Sequence, residues 1–201
     1  MTTETKPVPK ALDRHSARQR LLDAANELFY EEGVHTVGID KIIERAGVAK
    51  ATLYNVFGSK DELIRAYLTG RHEARVERIN RALECYESPR DRLLGVFDVL
   101  AELCADPGFR GCAFYNASAE SPSGGAAEQV SDQTRAWSRS LFGDIARAAG
   151  APDPDGLADQ LVVLYDGAML GARMDRNPAA AITARAVAAV VIDAAITRAA
   201  P

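Results

Sequence analysis

Apolar positions recur at helical spacing in block after block of this chain, and the pattern predicts an all-α protein. Leu21, Leu22, Ala25, Leu28 and Phe29 form one buried stripe on a helix that Ser16 caps and Gly33 ends. Ile39, Ile42, Ile43 and Ala46 share a face of a short second helix, Gly47 supplies a turn, and Val48 plugs the angle. After the turn, Leu53 and Phe57 make an i, i+4 apolar pair facing inward on a third helix, Lys50 to Phe57. Two short helices joined by so tight a turn are a helix-turn-helix. Ser59 then caps a long helix, with Glu62 as its capping-box partner, running through Leu63, Ile64, Tyr67 and Leu68 and a charged run to about Cys85.

The rest of the chain continues in helices. Ser88 and Pro89 start one whose apolar face carries Leu93, Leu94, Phe97, Leu100, Ala101 and Cys104, and Asp106-Pro107-Gly108 stops it. Phe109 to Glu120 reads as a short aromatic helix, and Ser121 to Ala126 as a loop. A helix from about Ala127 to Ala149 presents Val130, Thr134, Trp137, Leu141, Ile145 and Ala148 on one face, and Gly156 to Met174 carries Leu157, Leu161, Leu164, Tyr165 and Ala168. Asn177-Pro178 opens a last helix, and eleven of residues 179–200 are alanine. Such small-residue faces suit close helix packing. The last two helices are expected to pair with their copies in a second subunit as a four-helix bundle, through Leu157, Leu161, Leu164, Ala168, Gly171 and Ala172, and Ala181, Ala188, Ile192 and Ala195. Arg173, Asp175, Arg176, Arg185 and Asp193 argue against a membrane span.

Composition sharpens this. The chain has 201 residues, is 47% hydrophobic and carries a net charge of −4. Residues 1–75 hold 12 Lys and Arg against 11 Asp and Glu, whereas residues 76–201 hold 12 against 17, so the charge asymmetry turns the front of the chain toward a polyanion. Residues 1–10 mix charge with two prolines and no apolar segment, which reads as a flexible arm rather than a signal peptide. Cys85, Cys104 and Cys112 are odd in number and lack CxxC spacing, which argues against a disulfide framework or a zinc site and suits a reducing cytoplasm. Cys104 and Cys112 flank a turn and admit a redox-sensing reading; as small buried hydrophobes they need no such role. The three histidines, His15, His35 and His72, lie in the front third, away from any catalytic constellation. No cofactor, metal site or enzymatic activity is expected.

On the third helix Lys50, Thr52, Tyr54 and Asn55 point outward, and such side chains bond phosphates and base edges. The free N-terminus of the fourth helix, with Lys60 beside it, is a place for a phosphate. Gly47-Val48-Ala49-Lys50-Ala51-Thr52-Leu53-Tyr54, followed by Phe57, Ser59-Lys60 and Leu63, resembles the DNA-binding domain of TetR-family transcriptional regulators. The motif covers about the first third of the chain. Gly38, Ala49 and Val56 depart from the family pattern, the first two removing hydroxyls that would bind phosphate.

The resemblance implies a flexible basic arm over residues 1–15, a helix-turn-helix domain over 16–62, and an effector-binding and dimerisation domain over 63–201. It implies a homodimeric repressor that leaves a double-stranded DNA operator when a small apolar or amphipathic effector binds. Lys50 and Asn55 are the candidates for base edges, Thr52 for a base or its methyl group, and Tyr54 and Lys60 for phosphates. The effector cavity is expected to have apolar walls of Phe97, Leu100, Cys104, Phe109, Cys112, Phe114, Trp137, Leu141, Tyr165 and Met169, with Asn116 and Asp166 as polar handles. A ligand-independent regulator or an activator would keep the same DNA contacts, and an enzyme or helical scaffold is the remote alternative.

Overall fold

Four of the helices start on capping side chains that the sequence supplies. Ser16, Ser59, Ser88 and Asp153 each accept a hydrogen bond from the backbone N–H three residues on, at the starts of α1 (Ala17–Glu32), α4 (Lys60–Leu83), α5 (Pro89–Ala105) and α8 (Pro154–Asp175). The computed structural model describes residues 16–197, so the basic arm expected over residues 1–15 lies outside the described residues. The remaining elements are α2 (Ile39–Ala46), α3 (Lys50–Phe57), α6 (Ala113–Glu120), α7 (Ala126–Ala148) and α9 (Ala179–Thr197), and the described residues hold no strand. At Ser59 only half of the capping box forms: its hydroxyl accepts from the Glu62 N–H at 3.1 Å, but the Glu62 carboxylate is taken by Arg65 at 3.2 Å. The short helix expected from Phe109 begins at Ala113, because Gly111 adopts φ 93°, outside any right-handed helix.

Two hydrophobic clusters divide the chain. The head cluster gathers Leu21, Leu28, Phe29, Ile42, Leu53, Leu63 and Leu68, and also Phe114 and Ala117 of α6 and Ala127 and Val130 of α7. The body cluster begins at Ile79 and takes the inner faces of α5, α7, α8 and α9. Helix α4 therefore belongs to both, its first third to the head and its last turns to the body. Packing does not break at residue 62, where the domain boundary was expected; it changes over within α4, between Leu68 and Ile79. In the body, Phe97, Phe142 and Tyr165 from α5, α7 and α8 meet with ring centroids 5.9 to 6.5 Å apart. On α7 the expected face is rotated at its end, with Phe142 and Ala146 buried and Ala148 exposed.

Helix α9 is long and apolar enough to cross a membrane by length and composition. Its charges are engaged within the bundle instead. Arg185 reaches Asp98 of α5 through Nε at 2.5 Å and Nη2 at 3.2 Å, and Asp193 receives Nε and Nη2 of Arg90 at 2.5 and 2.8 Å. Ala181, Ala184, Ala188 and Ile192 complete the inner face.

This packing corrects the expected dimer face. Leu157, Leu161, Ala168, Ala172, Ala181, Ala188 and Ile192 are buried inside the single subunit, and Leu164, Gly171 and Ala195 are half-buried against its own helices. A Cβ on Gly171 would sit 3.0 Å from that of Ala180, so the small residues serve the close approach of α8 to α9 within one chain. The apolar side chains left outside are Val163, Leu170 and Met174 on α8 and Ile182, Val187 and Val190 on α9.

Candidate nucleic-acid interface and interior cavity

The turn between α2 and α3 depends on Gly47, which takes φ 64° and ψ 42° while its N–H and that of Val48 bond back to the Glu44 and Ile43 carbonyls at 3.2 and 3.1 Å. Left-handed backbone of this kind suits glycine. Helix α3 rests on Leu53, its one fully enclosed side chain, with Phe57 half-buried beneath the Arg18 guanidinium at 5.4 Å. Arg20 donates through Nε to the Ala46 carbonyl at 3.2 Å, satisfying an end carbonyl of α2. Ion pairs Lys41–Glu32 and Arg45–Glu27 join α2 to α1. The head is thus fixed on its inner side, and the outer side of α3 is left exposed.

Tyr54 and Asn55 are exposed on that outer side, and Thr52 is half-buried beside them. Lys50 is exposed too, its ammonium donating to Asp40 at 2.9 Å, a bond that holds its pKa above the usual lysine value. Solvent screens a surface pair of this sort, so it holds Lys50 only weakly. Lys60 is different. Its Nζ lies 3.5 Å from the His35 carbonyl and 6.0 Å from the centre of the Phe29 ring, and burial lowers its pKa. It points back into the α1–α2 connection, so the structure does not bring it together with the row on α3.

Behind the head, α4, α6, α7 and α8 enclose a cavity of about 450 Å³, within the range of small-molecule sites. Of the expected lining residues, Cys112, Phe114, Asn116, Trp137, Leu141, Tyr165, Asp166 and Met169 do face it. Phe97, Leu100 and Cys104 do not; they are packed solid in the body cluster, and Phe109 packs against that cluster from the α5–α6 connection. Sequence reasoning missed Arg75, Ser131, Thr134, Arg135 and Ser138. For Arg75 there was a signal: it stands seven residues after Leu68 and four before Ile79, on the inward stripe of α4, although the charged run around it reads as solvated.

The walls of the cavity are tied to the head. The Tyr30 hydroxyl donates to the Gly111 carbonyl at 3.1 Å and accepts from the Arg110 N–H at 2.9 Å, while Asn116 Nδ2 donates to the Arg110 carbonyl at 3.2 Å. At the other end of α6, Glu120 accepts the His35 N–H at 2.9 Å. Arg71 of α4 donates to Asn26 at 2.8 Å and stacks on Tyr30 at 3.9 Å. Displacement of α6 must therefore disturb the α1–α2 connection, and displacement of α4 must disturb α1.

All three cysteines are free thiols, Cys85 exposed, Cys112 half-buried and Cys104 buried. Burial pushes the Cys104 thiol up to about 11, leaving little thiolate at neutral pH. Alkylation with iodoacetamide at pH 7.5, followed by intact mass and peptide mapping, should modify Cys85 fully while Cys104 stays unmodified in the folded chain. Equal labelling of the two would show that the α5 face opens readily.

The model for bacterial regulatory proteins of the tetR family matches residues 21–67, from within α1 to Tyr67 of α4. Over almost the whole chain the fold matches the crystal structure of SCO4454, a TetR-family transcriptional regulator from Streptomyces coelicolor, with a TM-score of 0.79 and 30% identity, covering 92% of this chain and 96% of that one. The chain belongs to the TetR family. It is also 32% identical to the transcriptional regulator AcuR of Cereibacter sphaeroides, across 84% of this chain and 81% of AcuR. It is 34% identical over 141 residues to the HTH-type transcriptional activator FasR of Mycolicibacterium smegmatis; that match takes in 69% of this chain and spans 63% of FasR. As a TetR-family protein it is a DNA-binding regulator of transcription, and these relatives are regulators rather than enzymes. The TetR-family match ends at Tyr67, one residue before the last head-cluster contact of α4 at Leu68.

Proposed function

We propose that this TetR-family chain is a cytoplasmic, homodimeric repressor that leaves its operator when a small amphipathic effector enters the cavity behind the head. The observation that carries the reading is the cavity itself, walled by α4 and α6, which also hold the head: α6 through Glu120 on the α1–α2 connection and α4 through Arg71 on α1. Lys50 and Asn55 read base edges, Thr52 a base or its methyl group, and Tyr54 a phosphate; Lys60 joins only if it leaves the His35 carbonyl. The head, residues 16 to about 68, does the reading, and the remainder binds effector and partner. The exposed apolar stripes of α8 and α9 support pairing through those helices. An effector that favours a wrongly spaced dimer must bind it several kcal/mol more tightly to empty the operator.

Selection from random oligonucleotides followed by footprinting tests the reading. Two half-sites about 34–36 Å apart are expected, and selection that enriches no sequence would defeat it. A second reading, activation, is favoured by the activator name of FasR. A reporter with the selected site upstream of a weak promoter distinguishes the two by the sign of its response.

A further inference from the structure

The cavity wall contains a cation that no acid of the described residues neutralises. Arg75 projects from α4 onto the rings of Phe114 and Tyr165, 4.9 and 5.8 Å from their centres. Of the acids that line the cavity, Asp166 is occupied by Arg135, and Asp132 is exposed. Arg75 makes no ion pair among the described residues: its side chain hydrogen-bonds Cys112, and Asp166 acts on it only from beyond ion-pair distance. Aromatic faces compensate part of a guanidinium's desolvation, but a charge set in an apolar wall still favours a counter-charge over a neutral guest.

The other polar groups point the same way. Thr134 donates to the Val130 carbonyl at 2.8 Å, Ser138 to the Thr134 carbonyl at 3.0 Å, and Ser131 to the Ala127 carbonyl at 2.6 Å. These hydroxyls have used their protons on the main chain and offer only lone pairs to a guest. Asn116 spends an amide proton on Arg110. Of the three guanidiniums that line the cavity, Arg135 is paired with Asp166 and Arg173 is exposed, which leaves Arg75 as the strong donor set into the wall, planar and forked to fit a carboxylate. One interior cation matches one negative charge, and Trp137, Leu141, Phe142, Val162 and Met169 supply an apolar side to the wall.

We propose that the effector is an organic monocarboxylate, its carboxylate on Arg75 and its apolar body against Trp137, Leu141, Phe142, Val162 and Met169. The proposal rests on the effector reading of the cavity and names the ligand class. Because Arg75 sits on the helix that carries Leu63 to Leu68 into the head, the charge that is bound and the element that moves are the same.

Trp137 is the sole tryptophan of the chain and lines the cavity, so its fluorescence reports occupancy. The full chain is titrated with 4-phenylbutanoate against 4-phenylbutanamide, and with octanoate against octanamide, at pH 7.5. The acids should bind at one per chain, roughly tenfold to a hundredfold more tightly than their amides, the range expected of a charged hydrogen-bonded pair. Arg75→Met should erase that preference and Arg75→Lys should keep part of it; the acid-amide comparison on the unaltered chain needs no variant to fold. Amides binding as well as the acids, or no probe binding at all, overturns the monocarboxylate assignment. Operator affinity is measured in parallel. Arg75-dependent binding of the acids without any change in operator affinity upholds the site and defeats the effector reading instead.

Discussion

Replacing Leu53 by alanine should abolish measurable operator binding while the body of the protein stays folded. Helix α3 has eight residues, and Leu53 is the one that is fully enclosed. A helix that short has no stability of its own in water, so it is held in register by the packing beneath it. Truncating a buried leucine costs about 2–5 kcal/mol through lost transfer energy and the hole left behind. That equals or exceeds the roughly 1–3 kcal/mol expected from losing one good base contact such as that proposed for Asn55, and it displaces every contact on α3 at once. The head and body clusters are separate, so the loss falls on the head. Fluorescence anisotropy with the selected operator should show no saturable binding, and amide exchange should accelerate across Lys50 to Phe57 while α5, α8 and α9 remain protected. Retention of full affinity by the variant would mean that α3 is held by something other than Leu53.

The head was legible from sequence because each of its features is local. The Gly47 turn, the Ser16 and Ser59 caps and the i, i+4 spacing of Leu53 and Phe57 lie within a few residues of one another, and the backbone conformations they favour are the ones observed. The helices of the body were legible for the same reason. Which face of each helix meets which neighbour was not. Helix α9 is apolar almost all round and α8 carries apolar residues on more than one face, so periodicity could not distinguish the face turned to their own subunit from the face left outside, and the expected stripe of Leu157, Leu161 and Ala168 proved to be the inner one. The cavity met the same limit. Phe97 and Trp137 look alike as large apolar residues on helix faces, but Phe97 is locked against Phe142 and Tyr165 whereas Trp137 borders open space. That difference arises from how three helices converge, which no single helix encodes. Lys60 shows the converse: a lysine at a helix start reads as a phosphate ligand, but Phe29 and the His35 carbonyl, distant in sequence, capture it.

Placing a charge on each outward stripe, Leu170→Asp together with Val190→Asp, should split the protein into folded single subunits and lower operator affinity by a hundredfold or more. Val163, Gly167, Leu170 and Met174 follow one another at the spacing of a single α8 stripe, and Ile182, Ala186, Val190 and Ala194 do so on α9. Leu170 and Val190 are 49% and 69% exposed in the single subunit and lie outside both core clusters, although Leu170 also lines the cavity. In a two-fold bundle each substitution occurs twice, and burying a carboxylate without a partner is costly enough that separation is the cheaper course. A head bound alone keeps its own contacts but forfeits the effective concentration that its linked twin supplies, a factor of roughly 10²–10⁴. Light scattering after size exclusion should give the subunit mass, with the helical signal unchanged. The paired control Leu161→Asp, at a site with 0% exposure, should unfold the body instead. A Leu170→Asp, Val190→Asp protein that still ran as a dimer and bound its operator undiminished would place the subunit contact away from α8 and α9.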